Sequence, residues 1–468
     1  MRDIVQTPEH TAKAETAGTA PPRGAGRAIL IVGAGASGTI LAITLAKRLG
    51  PEATITLIDP AARVGRGVAY AQPDRGHLLN SPAEAMGVLA EAPGDFADWL
   101  AARGMAPPAG GFAPRAAFGS YLADRYARAA TDPEGARILR IEAACIDLRT
   151  VPGGVEAHLG DGRRVAGSFA VLATGHPRRA PDGEGLVRDG WASTSPPVDP
   201  DGRVLLVGTG LTMADHALAL LKAGHRGEIV AVSRRGLLPR AHMRPGSPKL
   251  ALPAGVLPFG QPLSSWLALV RRLARECGAR GGGWQAAIDA IRPHASEIWA
   301  SLPPEERQRF LRHAAPWWEV HRHRLPPASL RALEAARVAG QFRVLRAGFL
   351  GAEAGPAGLT ARLAPWAAGV PDALNCAEIR DCRGAGRIRA EDPLVRALFS
   401  RGIARPDDAG LGFETDRGGA LIAASGAVQE RIRALGPPCR GSLWETTAIP
   451  EIRAAATRLA AALEQSLA

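Results

Sequence analysis

The chain is poor in cysteine and has no closely spaced cysteine pair. Its 468 residues include five cysteines, namely Cys145, Cys277, Cys376, Cys382 and Cys439. None of them forms a C-x-x-C motif, and none has the spacing of a metal site. A disulfide framework is not expected in so large a chain. We therefore predict no metal centre, and the missing pair argues against an enzyme that passes electrons through a redox-active disulfide.

Lysine is also scarce, although the chain is strongly basic. The formal net charge is +12 and the isoelectric point is near 10.4, yet there are only four lysines, so arginine supplies almost all of the positive charge. No basic run is interleaved with aromatic residues, as nucleic-acid-binding surfaces are. We therefore expect no nucleic-acid partner, whereas acidic ligands such as nucleotide cofactors suit this charge.

No stretch has the pattern of a membrane span or a secretion signal. Residues 1–27 mix charged, proline, glycine and alanine residues without an apolar segment, which predicts a disordered tail. Residues 28–46 carry no charge and are almost long enough to cross a bilayer. Three glycines and an amphipathic second half favour a buried strand and a helix there instead. We therefore expect a cytoplasmic protein with no membrane partner.

The most informative motif lies in that same stretch. Ala28–Val32 is a continuous apolar run, typical of a buried parallel strand. Gly33, Gly35 and Gly38 follow it with G-x-G-x-x-G spacing. In this motif the glycines allow a tight turn, a close approach of backbone to a pyrophosphate, and close packing of helix on strand. A helix over residues 39–49 would then direct its N-terminal amides at the phosphates.

A second strand and an acidic residue complete the unit. Thr54–Ile58 is predicted to be a strand, and Asp59 closes it at a position where a carboxylate accepts hydrogen bonds from ribose hydroxyls. Short strands are predicted between residues 136 and 173. The last of them runs into Ala173-Thr174-Gly175, a second place where bare backbone can lie against a dinucleotide.

The same architecture is repeated further along the chain. Val204–Val207 is predicted to be a strand, Gly208-Thr209-Gly210 a turn, residues 212–223 a helix and residues 229–232 a second strand. Met213 stands at the position of the third glycine. We therefore expect the second helix to lie less close to its strand than the first.

The two units differ where their second strands end. Asp59 closes the first unit, whereas the equivalent position of the second holds Arg234, flanked by Ser233 and Arg235. A serine and two arginines would hold a 2′-phosphate that a carboxylate would repel. We therefore predict FAD in the first unit and NADPH in the second, with NADH as the alternative. An ordinary solvated basic loop is the other interpretation of these three residues.

Taken together, these motifs resemble those of the bacterial FAD/NAD(P)-binding protein family. The resemblance rests on the glycine fingerprint, the repeated unit, residues 65–70, residues 77–83, residues 173–175, and Gly436-Pro437 with Trp444-Glu445-Thr446-Thr447. That family is related to two-dinucleotide-binding flavoproteins, including N-hydroxylating and other flavin monooxygenases. The resemblance implies an α/β fold of two Rossmann-like units, one for FAD and one for NAD(P)H, with a mainly helical insertion.

The motifs and the resemblance together imply a set of cofactor-binding residues. In the first unit these are Gly33, Gly35, Ser37, Gly38, Asp59, Tyr70, Leu79, Asn80, Cys145, Ala173, Thr174, Gly175, Gly436, Thr446 and Thr447. In the second unit they are Gly208, Gly210, Thr212, Ser233, Arg234 and Arg235. Asn80 is the side chain expected nearest the flavin ring, and therefore the catalytic candidate. Thr447 is expected to cap a C-terminal helix with Pro450 in its first turn, whose positive end would face the flavin.

The expected division of the chain follows these motifs. The FAD-binding domain begins with residues 28–195 and returns over residues 372–468. The NAD(P)H unit covers residues 200–245 and 335–371, and the helical insertion between them, residues 246–334, would cover the flavin and supply a substrate pocket. One departure from the family is expected at Leu374-Asn375-Cys376-Ala377-Glu378, where Ala377-Glu378 replaces a Thr-Gly turn.

Two histidines in the insertion leave three interpretations open. His321 and His323 could be metal ligands, groups that act on an anionic substrate or as acid and base, or structural residues of a salt-bridged segment. No third ligand with convincing spacing is nearby, which disfavours a metal.

The function that these observations favour is an FAD-dependent, NAD(P)H-using oxidoreductase. A monooxygenase that hydroxylates nitrogen or carbon of a small metabolite leads, because the resemblance is to such enzymes and no redox-active disulfide is present. A flavin-dependent reductase or dehydrogenase without oxygen insertion is one alternative. A non-catalytic flavin-binding scaffold or sensor is the other. The oligomeric state is not assigned.

Overall fold

The structure is a computed structural model that describes residues 27–71, 77–108, 110–179, 185–191, 199–355 and 358–468. The predicted disordered tail therefore lies outside the described residues, apart from Arg27. The described residues form sixteen strands: β1 Ala28–Val32, β2 Thr54–Ile58, β3 Arg137–Ile141, β4 Cys145–Val151, β5 Gly154–Leu159, β6 Arg164–Gly167, β7 Phe169–Leu172, β8 Arg188–Asp189, β9 Val204–Val207, β10 Ile229–Ser233, β11 Phe342–Gly355, β12 Gly358–Pro365, β13 Ala373–Cys376, β14 Glu378–Asp381, β15 Ala420–Ile422 and β16 Val428–Ala434.

The same residues form thirteen α-helices: α1 Ala36–Arg48, α2 Asp95–Ala101, α3 Arg115–Ala130, α4 Leu211–Lys222, α5 Leu263–Ala279, α6 Gln285–Ile291, α7 Ala295–Ser301, α8 Pro304–Arg309, α9 Ala315–Arg322, α10 Pro327–Val338, α11 Pro393–Ser400, α12 Arg440–Leu443 and α13 Ile449–Leu467. Single turns of 3₁₀-helix cover Ala83–Ala85, Arg292–His294 and Pro437–Cys439, and Phe310–Ala314 forms a π-helical turn.

The first sheet contains six strands in the order β15-β16-β7-β1-β2-β3. Five of them, from β16 to β3, are parallel, so their carboxyl ends meet at one edge. β1 is buried on both faces, which explains its continuous apolar run. α1, α3 and α13 share an apolar core with one face, and α11 and the small sheet β4-β5-β6 share another core with the opposite face.

The second sheet contains seven strands in the order β13-β12-β11-β10-β9-β14-β8. The strands from β11 to β8 are parallel, and β12 and β13 add antiparallel pairs at one edge. α4 and α10 pack on one face of this sheet. The predicted α/β architecture of two strand-helix-strand units is confirmed, and their strands β1, β2, β9 and β10 lie within one residue of the predicted positions.

The second sheet extends further along the chain than the sequence predicts. β13 and β14 belong to it, so the return to the first sheet begins after Asp381, not at residue 372. β14 pairs with β9 along its whole length, from Glu378 opposite Val204 to Asp381 opposite Val207. β8 also joins this sheet, although it falls within the range expected for the first domain. The chain thus crosses to the second sheet soon after Gly175 and leaves it only after β14.

The insertion is helical, as predicted, and packs against the C-terminal segment. Its apolar core contains Trp266, Leu273 and Trp299, and Trp444 closes that core from the C-terminal side. The rings of Trp299 and Trp444 stack with centroids 4.9 Å apart. Within the insertion, α8 is followed directly by the π-helical turn. In the described part of the chain, no helix is both long enough and apolar enough to cross a membrane.

Candidate dinucleotide-binding sites

The first unit has a turn in which Gly33 and Gly38 leave no room for a Cβ. Gly33 follows β1 with φ +107°, and a Cβ there would collide with the carbonyl oxygen of Ala173. A Cβ on Gly38 would collide with the carbonyl oxygen of Gly33, so α1 lies directly on the turn. A Cβ on Gly35 would lie 3.6 Å from the Cα of Gly67, in the loop after β2. Three stretches of bare backbone therefore meet at the carboxyl edge of the first sheet.

The start of α1 is free to bind an anion. Gly35 is its N-cap, and no side chain caps the helix. The first amides of a helix have no intrahelical acceptor, and the helix dipole places partial positive charge there. Ser37 is buried beside them. This arrangement fits a pyrophosphate.

Asp59 stands at the end of β2, next to the same turn. Its Oδ2 accepts a hydrogen bond from the backbone N–H of Ala34 at 2.6 Å, and its Oδ1 accepts one from Ala61 at 2.7 Å. These two bonds fix the carboxylate beside the glycine turn. Each oxygen keeps a lone pair, so both can still accept from ribose hydroxyls.

The C-terminal segment returns to this site through Gly436. This glycine follows β16 with φ +79°, and a Cβ on it would lie 2.6 Å from Oγ of Ser37. Thr446 is buried, and among the described residues its Oγ1 has no hydrogen-bond partner. An unsatisfied buried hydroxyl is costly, which fits a ligand group at this point.

The predicted N-cap of the C-terminal helix is wrong by one residue. α13 begins at Ile449, and Ala448 is its N-cap, with the extended φ of −93° and ψ of 152° that this position requires. Thr447 therefore lies outside the helix. Pro450 is in the first turn, as predicted. No side chain caps α13, so its first amides are also free to face an acceptor.

The second unit repeats the turn of the first. Gly208 follows β9 with φ +113°, and a Cβ there would lie 2.5 Å from the carbonyl oxygen of Cys382. Gly210 has open space in front of it and is the N-cap of α4, again without a side-chain cap. Thr212 lies in the first turn of this helix. At the position of the third glycine, Met213 is fully buried in the apolar core beneath α4.

The turn that the sequence places at Ala377-Glu378 lies elsewhere. Glu378 begins β14 at the amino edge of the second sheet, beside Val204, whereas ligands bind at the carboxyl edge. The equivalent of Ala173-Thr174-Gly175 is Cys382-Arg383-Gly384, which follows β14. Gly175 and Gly384 both have φ +78°. The expected departure from the family pattern was therefore assigned one strand too early, and it does not touch this site.

Ser233 at the end of β10 and the two arginines that follow it are held in different ways. Oγ of Ser233 lies 2.9 Å from Oγ1 of Thr209, and it also accepts the backbone N–H of Gly236 at 3.0 Å. Arg234 is exposed. Arg235 donates from Nη2 to the carbonyl oxygen of Arg312 in the insertion at 2.7 Å. The assignment of Ser233, Arg234 and Arg235 as phosphate ligands stays a prediction, and one donor of Arg235 is already engaged by the insertion.

Three side chains predicted to contact the first cofactor have packing roles. Tyr70 packs edge-on against Phe118 with centroids 4.8 Å apart, and burial raises its pKa to about 12. Leu79 is 1% exposed within the core. The thiol of Cys145 donates to the carbonyl oxygen of Asp147, and burial raises its pKa to about 12. Their assignment as cofactor ligands stays a prediction, with no support from the positions of their side chains.

Asn80 lies where the first unit contacts the segment that precedes the insertion. Its carbonyl oxygen accepts a hydrogen bond from Nε2 of His242 at 2.7 Å. Burial lowers the pKa of His242 to about 4, so this histidine is neutral. Its one ring proton therefore lies on Nε2, which donates it to Asn80. A second link between the units is the ion pair of Arg115 with Asp215 at 3.3 Å. A catalytic role for Asn80 stays a prediction.

A cavity of about 100 Å³ lies where the carboxyl edges of the two sheets meet. Its walls include Val68 and His176 from the first unit, and Asp381, Gly384 and Trp191 from the second unit and the crossing segment. Nδ1 of His176 is buried and has no hydrogen-bond partner among the described residues. Burial lowers the pKa of His176 to about 4, and the charges of Arg440 and His323 act in the same direction. Sequence reasoning missed this histidine, although it directly follows the predicted Ala-Thr-Gly turn.

A larger cavity of about 720 Å³ lies between α13 and the helical insertion. Gly436 and Thr446 line one end of it, and Arg292 and Glu451 line the middle. These two charged side chains form a bidentate ion pair that joins the insertion to the first turn of α13. The insertion therefore borders the first unit at the point where the C-terminal segment returns.

The two histidines of the insertion lie in an ion-pair network. Nε2 of His323 lies 3.0 Å from Oε2 of Glu319, and Nη2 of Arg440 lies 2.7 Å from Oε1 of the same carboxylate. Burial opposes ionisation of Glu319, but its contacts with His323 and Arg440 lower its pKa to about 2. Nδ1 of His321 lies 2.7 Å from the carbonyl oxygen of Trp317. No group of three or more potential metal ligands occurs among the described residues, so the salt-bridged interpretation is favoured.

The cysteines do not form the couple that a disulfide reductase needs. All five are free, and four of them are buried. Burial raises the pKa of the Cys376 and Cys439 thiols to about 12, and raises that of Cys382 as well. These thiols are therefore protonated and unreactive.

Comparison with known proteins agrees with this geometry. Residues 30–177 match the model of the FAD-NAD(P)-binding family. A comparison with curated protein sequences gives no significant match. Among solved structures, the chain resembles the ornithine N-hydroxylase of Kutzneria sp. 744 with a TM-score of 0.64 and 14% identity, over 95% of this chain and 100% of that one.

Two further hydroxylases have the same fold. The ornithine hydroxylase from Pseudomonas aeruginosa matches with a TM-score of 0.63 and 15% identity, over 95% of this chain and 100% of that one. The L-lysine 6-monooxygenase from Pseudomonas syringae matches with a TM-score of 0.61 and 16% identity, over 94% of this chain and 99% of that one. At such identities the likeness is one of fold. The chain thus carries an FAD-NAD(P)-binding domain over residues 30–177 and has the fold of the two-dinucleotide-binding flavoproteins.

Proposed function

We propose that the chain is an FAD-dependent, NADPH-using monooxygenase that hydroxylates the nitrogen of a small amine. The observation that carries this proposal is the pair of glycine turns at Gly33 and Gly208, each facing a backbone carbonyl at the carboxyl edge of its own parallel sheet. The free cysteines disfavour disulfide reduction. The similar folds named above belong to proteins described as ornithine and lysine hydroxylases, which supports an amine as the substrate class.

The residues present fit both nucleotides. In the first unit, the start of α1 would hold the FAD pyrophosphate and Asp59 would hold the FAD ribose. Gly436 would leave room for the middle part of the extended FAD molecule. The uncapped start of α13 places partial positive charge where a reduced flavin gathers negative charge. When bound, FAD supplies two-electron transfer from NADPH and reaction with oxygen.

The remaining task of the chain is to position the reactants and exclude water. In the second unit, the start of α4 would hold the NADPH pyrophosphate. The cavity that contains His176 adjoins both glycine turns, since Val68 follows Gly67 and Asp381 precedes Cys382. We assign the larger cavity as the substrate pocket, because residues of the insertion line it together with Gly436 and Thr446.

The first test is a visible spectrum of the purified protein under anaerobic conditions. We expect flavin bands that bleach when NADPH is added and return when air is admitted, and a hydroxylated product when a small primary amine is present. Reduction by dithionite but not by NADPH would contradict the second nucleotide site. Bleaching and reoxidation with no hydroxylated product from any amine would favour the reductase alternative. A protein that binds no FAD even when it is supplied would overturn the proposal.

Two features of the sequence favour the scaffold alternative, namely Met213 and the replacement of a Thr-Gly turn by Ala377-Glu378. The position of Ala377 weakens the second of them. The turn that faces Gly208 is Cys382-Arg383-Gly384, which keeps its glycine, and Ala377 lies at the opposite edge of the sheet. A yellow protein that NADPH leaves unchanged would revive this alternative.

A further inference from the structure

Arg234 and Arg235 are adjacent, but their surroundings differ. The guanidinium of Arg235 is bonded to the carbonyl oxygen of Arg312 and thus to the helical insertion. Arg234 is exposed, and among the described residues it has neither an ion pair nor a hydrogen bond for its side chain. A phosphate ligand needs a guanidinium whose donors are free. Arg234 keeps all of its donors for such a ligand, whereas Arg235 already gives one of its five to the insertion.

A third arginine, remote in sequence, lies beside them. Arg346 is the register partner of Ser233 across the parallel pair β10 and β11. Directly paired residues of neighbouring strands place their side chains on the same face of the sheet. The Cβ of Arg346 lies 3.7 Å from the position that a Cβ would have on Gly236. Arg346 therefore adjoins the loop that carries Arg234.

The face of the sheet that Arg346 occupies is the one that α4 covers. Ala231 in β10 and Val344 in β11 pack in the core beneath α4, two residues before Ser233 and Arg346 respectively. Side chains alternate along a strand, so Ser233 and Arg346 share that face. Ser233 confirms this through its bond to Thr209 in the turn before α4. Arg346 thus stands on the dinucleotide side of the second sheet.

The charge of Arg346 is also available. Its side chain is exposed and takes part in no ion pair or hydrogen bond among the described residues. Its carbonyl oxygen accepts the backbone N–H of Trp366 at 2.9 Å, which fixes the main chain at this point. In a dinucleotide-binding unit, the 2′ position of the adenosine ribose lies at the end of the second strand, which here is Ser233. A 2′-phosphate would therefore lie between Arg234 and Arg346.

We propose that Arg346, with Arg234, binds the 2′-phosphate of NADPH and sets the preference for NADPH over NADH. Arg235 instead ties the loop to the helical insertion. This inference rests on the proposed function, because it requires the second unit to bind a nicotinamide dinucleotide. It assigns cofactor selectivity to a residue that lies 112 positions after Arg234 in the sequence.

The test compares the binding of 2′,5′-ADP and 5′-ADP to the flavin-loaded protein by titration calorimetry. Four single variants are needed: R346A, R234A, R235A and R343A. Arg343 is the matched control, because it is exposed on the same strand but lies at the other end of the pairing and forms an ion pair with Glu228 at 3.1 Å. Flavin content, read from the visible spectrum, reports whether each variant is folded.

We expect R346A and R234A to weaken 2′,5′-ADP binding by roughly 10- to 100-fold each, as the loss of a charge-assisted bond does. Binding of 5′-ADP should stay within about twofold of the wild-type value. R343A should leave the ratio of the two affinities unchanged, and R235A should lower it less than R346A does. R346K should restore part of the affinity, because lysine keeps the charge but not the fork of donors.

The outcomes separate the two claims. If R346A keeps the wild-type ratio, or weakens both nucleotides equally, the role of Arg346 is overturned and the proposed function stands. A wild-type protein that binds neither nucleotide would overturn the proposed function and this inference together. If R235A lowers the ratio as strongly as R346A does, the assignment of Arg235 to the insertion is wrong and the division of labour fails.

Discussion

The two dinucleotide units share one backbone design. In the first, Gly33 follows β1 and lies on the carbonyl of Ala173, at the end of the neighbouring strand β7. In the second, Gly208 follows β9 and lies on the carbonyl of Cys382, at the end of β14. φ is +107° at the first glycine and +113° at the second. The cradle for a pyrophosphate is therefore built from the same turn twice, whatever side chains surround it.

The units differ at two positions, and the two differences have separate consequences. Gly38 lets α1 rest on the carbonyl of Gly33, whereas Met213 fills the core beneath α4 with its side chain. Asp59 is bonded to backbone amides of its own unit, whereas Arg234 is exposed. The first difference concerns how the helix packs, and the second concerns the charge at the end of the second strand. On the function that we propose, the turn sets where a dinucleotide binds, and the strand end sets whether its ribose carries a 2′-phosphate.

The largest effect should come from breaking each turn separately. Gly33→Ala and Gly208→Ala each place a Cβ against a backbone carbonyl and impose a left-handed φ on alanine. We expect G33A to lose FAD, and G208A to keep FAD but lose NADPH binding by more than about 100-fold, since neither backbone can relax without moving a strand. Visible spectra and NADPH titration of both variants measure this.

Gly94→Ala is the control, since a Cβ there would meet no atom within 4 Å and its φ of −87° suits alanine. Loss of FAD from G208A as well would mean that the two units do not fold or bind independently. Retention of FAD by G33A would contradict the assignment of this turn to the first nucleotide.

A smaller effect should distinguish Gly38 from Met213, which occupy the position of the third glycine in the first and the second unit. Met213→Ala removes a fully buried side chain and should lower the free energy of unfolding by about 2–5 kcal/mol, with no change in the ratio of NADPH to NADH affinity. Gly38→Ala adds only one carbon, but it should also displace FAD, because that carbon meets the carbonyl oxygen of Gly33. Denaturant unfolding and flavin content together measure both effects. Equal losses of flavin from the two variants would show that Met213 also supports the cofactor.

The sequence predicted the parts of both units that depend on local pattern. β1, β2 and β9 have the predicted bounds, because continuous apolar runs fill buried strands, and the glycine turns follow from their spacing. The start of α13 was predicted wrongly by one residue, because threonine is the preferred N-cap residue, whereas the structure uses Ala448 with no side-chain cap. Packing roles for Tyr70, Leu79 and Cys145 depend on neighbours that are distant in sequence.

β14 shows why the second unit was harder to predict than the first. Its sequence is Glu378-Ile379-Arg380-Asp381, which has no apolar run, yet it lies between β9 and β8 in the sheet. Arg380 is 1% exposed and is neutralised by Glu378 at 2.7 Å, and it donates to Nδ1 of His216 at 3.0 Å. Because His216 comes from α4, and the apolar neighbours on both sides come from other strands, β14 is recognisable only once the sheet is assembled. The turn after it was therefore missed, as was Arg346, whose position depends on strand register.

The same buried network predicts that acid weakens the second unit. Nδ1 of His216 accepts from Arg380, so its Nε2 carries the proton and donates to the carbonyl oxygen of Gly190 at 2.8 Å. Burial lowers the pKa of His216 to about 4, and the Arg380 charge acts in the same direction, whereas the Gly190 bond and Glu378 oppose it. Since the folded pKa lies below the unfolded value near 6.5, stability is complete above about pH 6.5 and is lost as the pH falls toward 4.

At pH 5.5 this loss should amount to roughly 1 kcal/mol, and hydrogen exchange should show it first in β9 and β14, not in β1.

His216→Gln keeps a donor for Gly190 and an acceptor for Arg380 without a titrating group. We expect this variant to be less stable than the wild type at pH 7, yet to lose less stability between pH 6.5 and 4.5. An identical pH dependence in both proteins would mean that the acid sensitivity arises from His176 and His242 at the junction of the two units, and not from His216. Burial also lowers the pKa values of these two histidines to about 4. The two units would then weaken together at their junction, and the difference in acid stability between them would disappear.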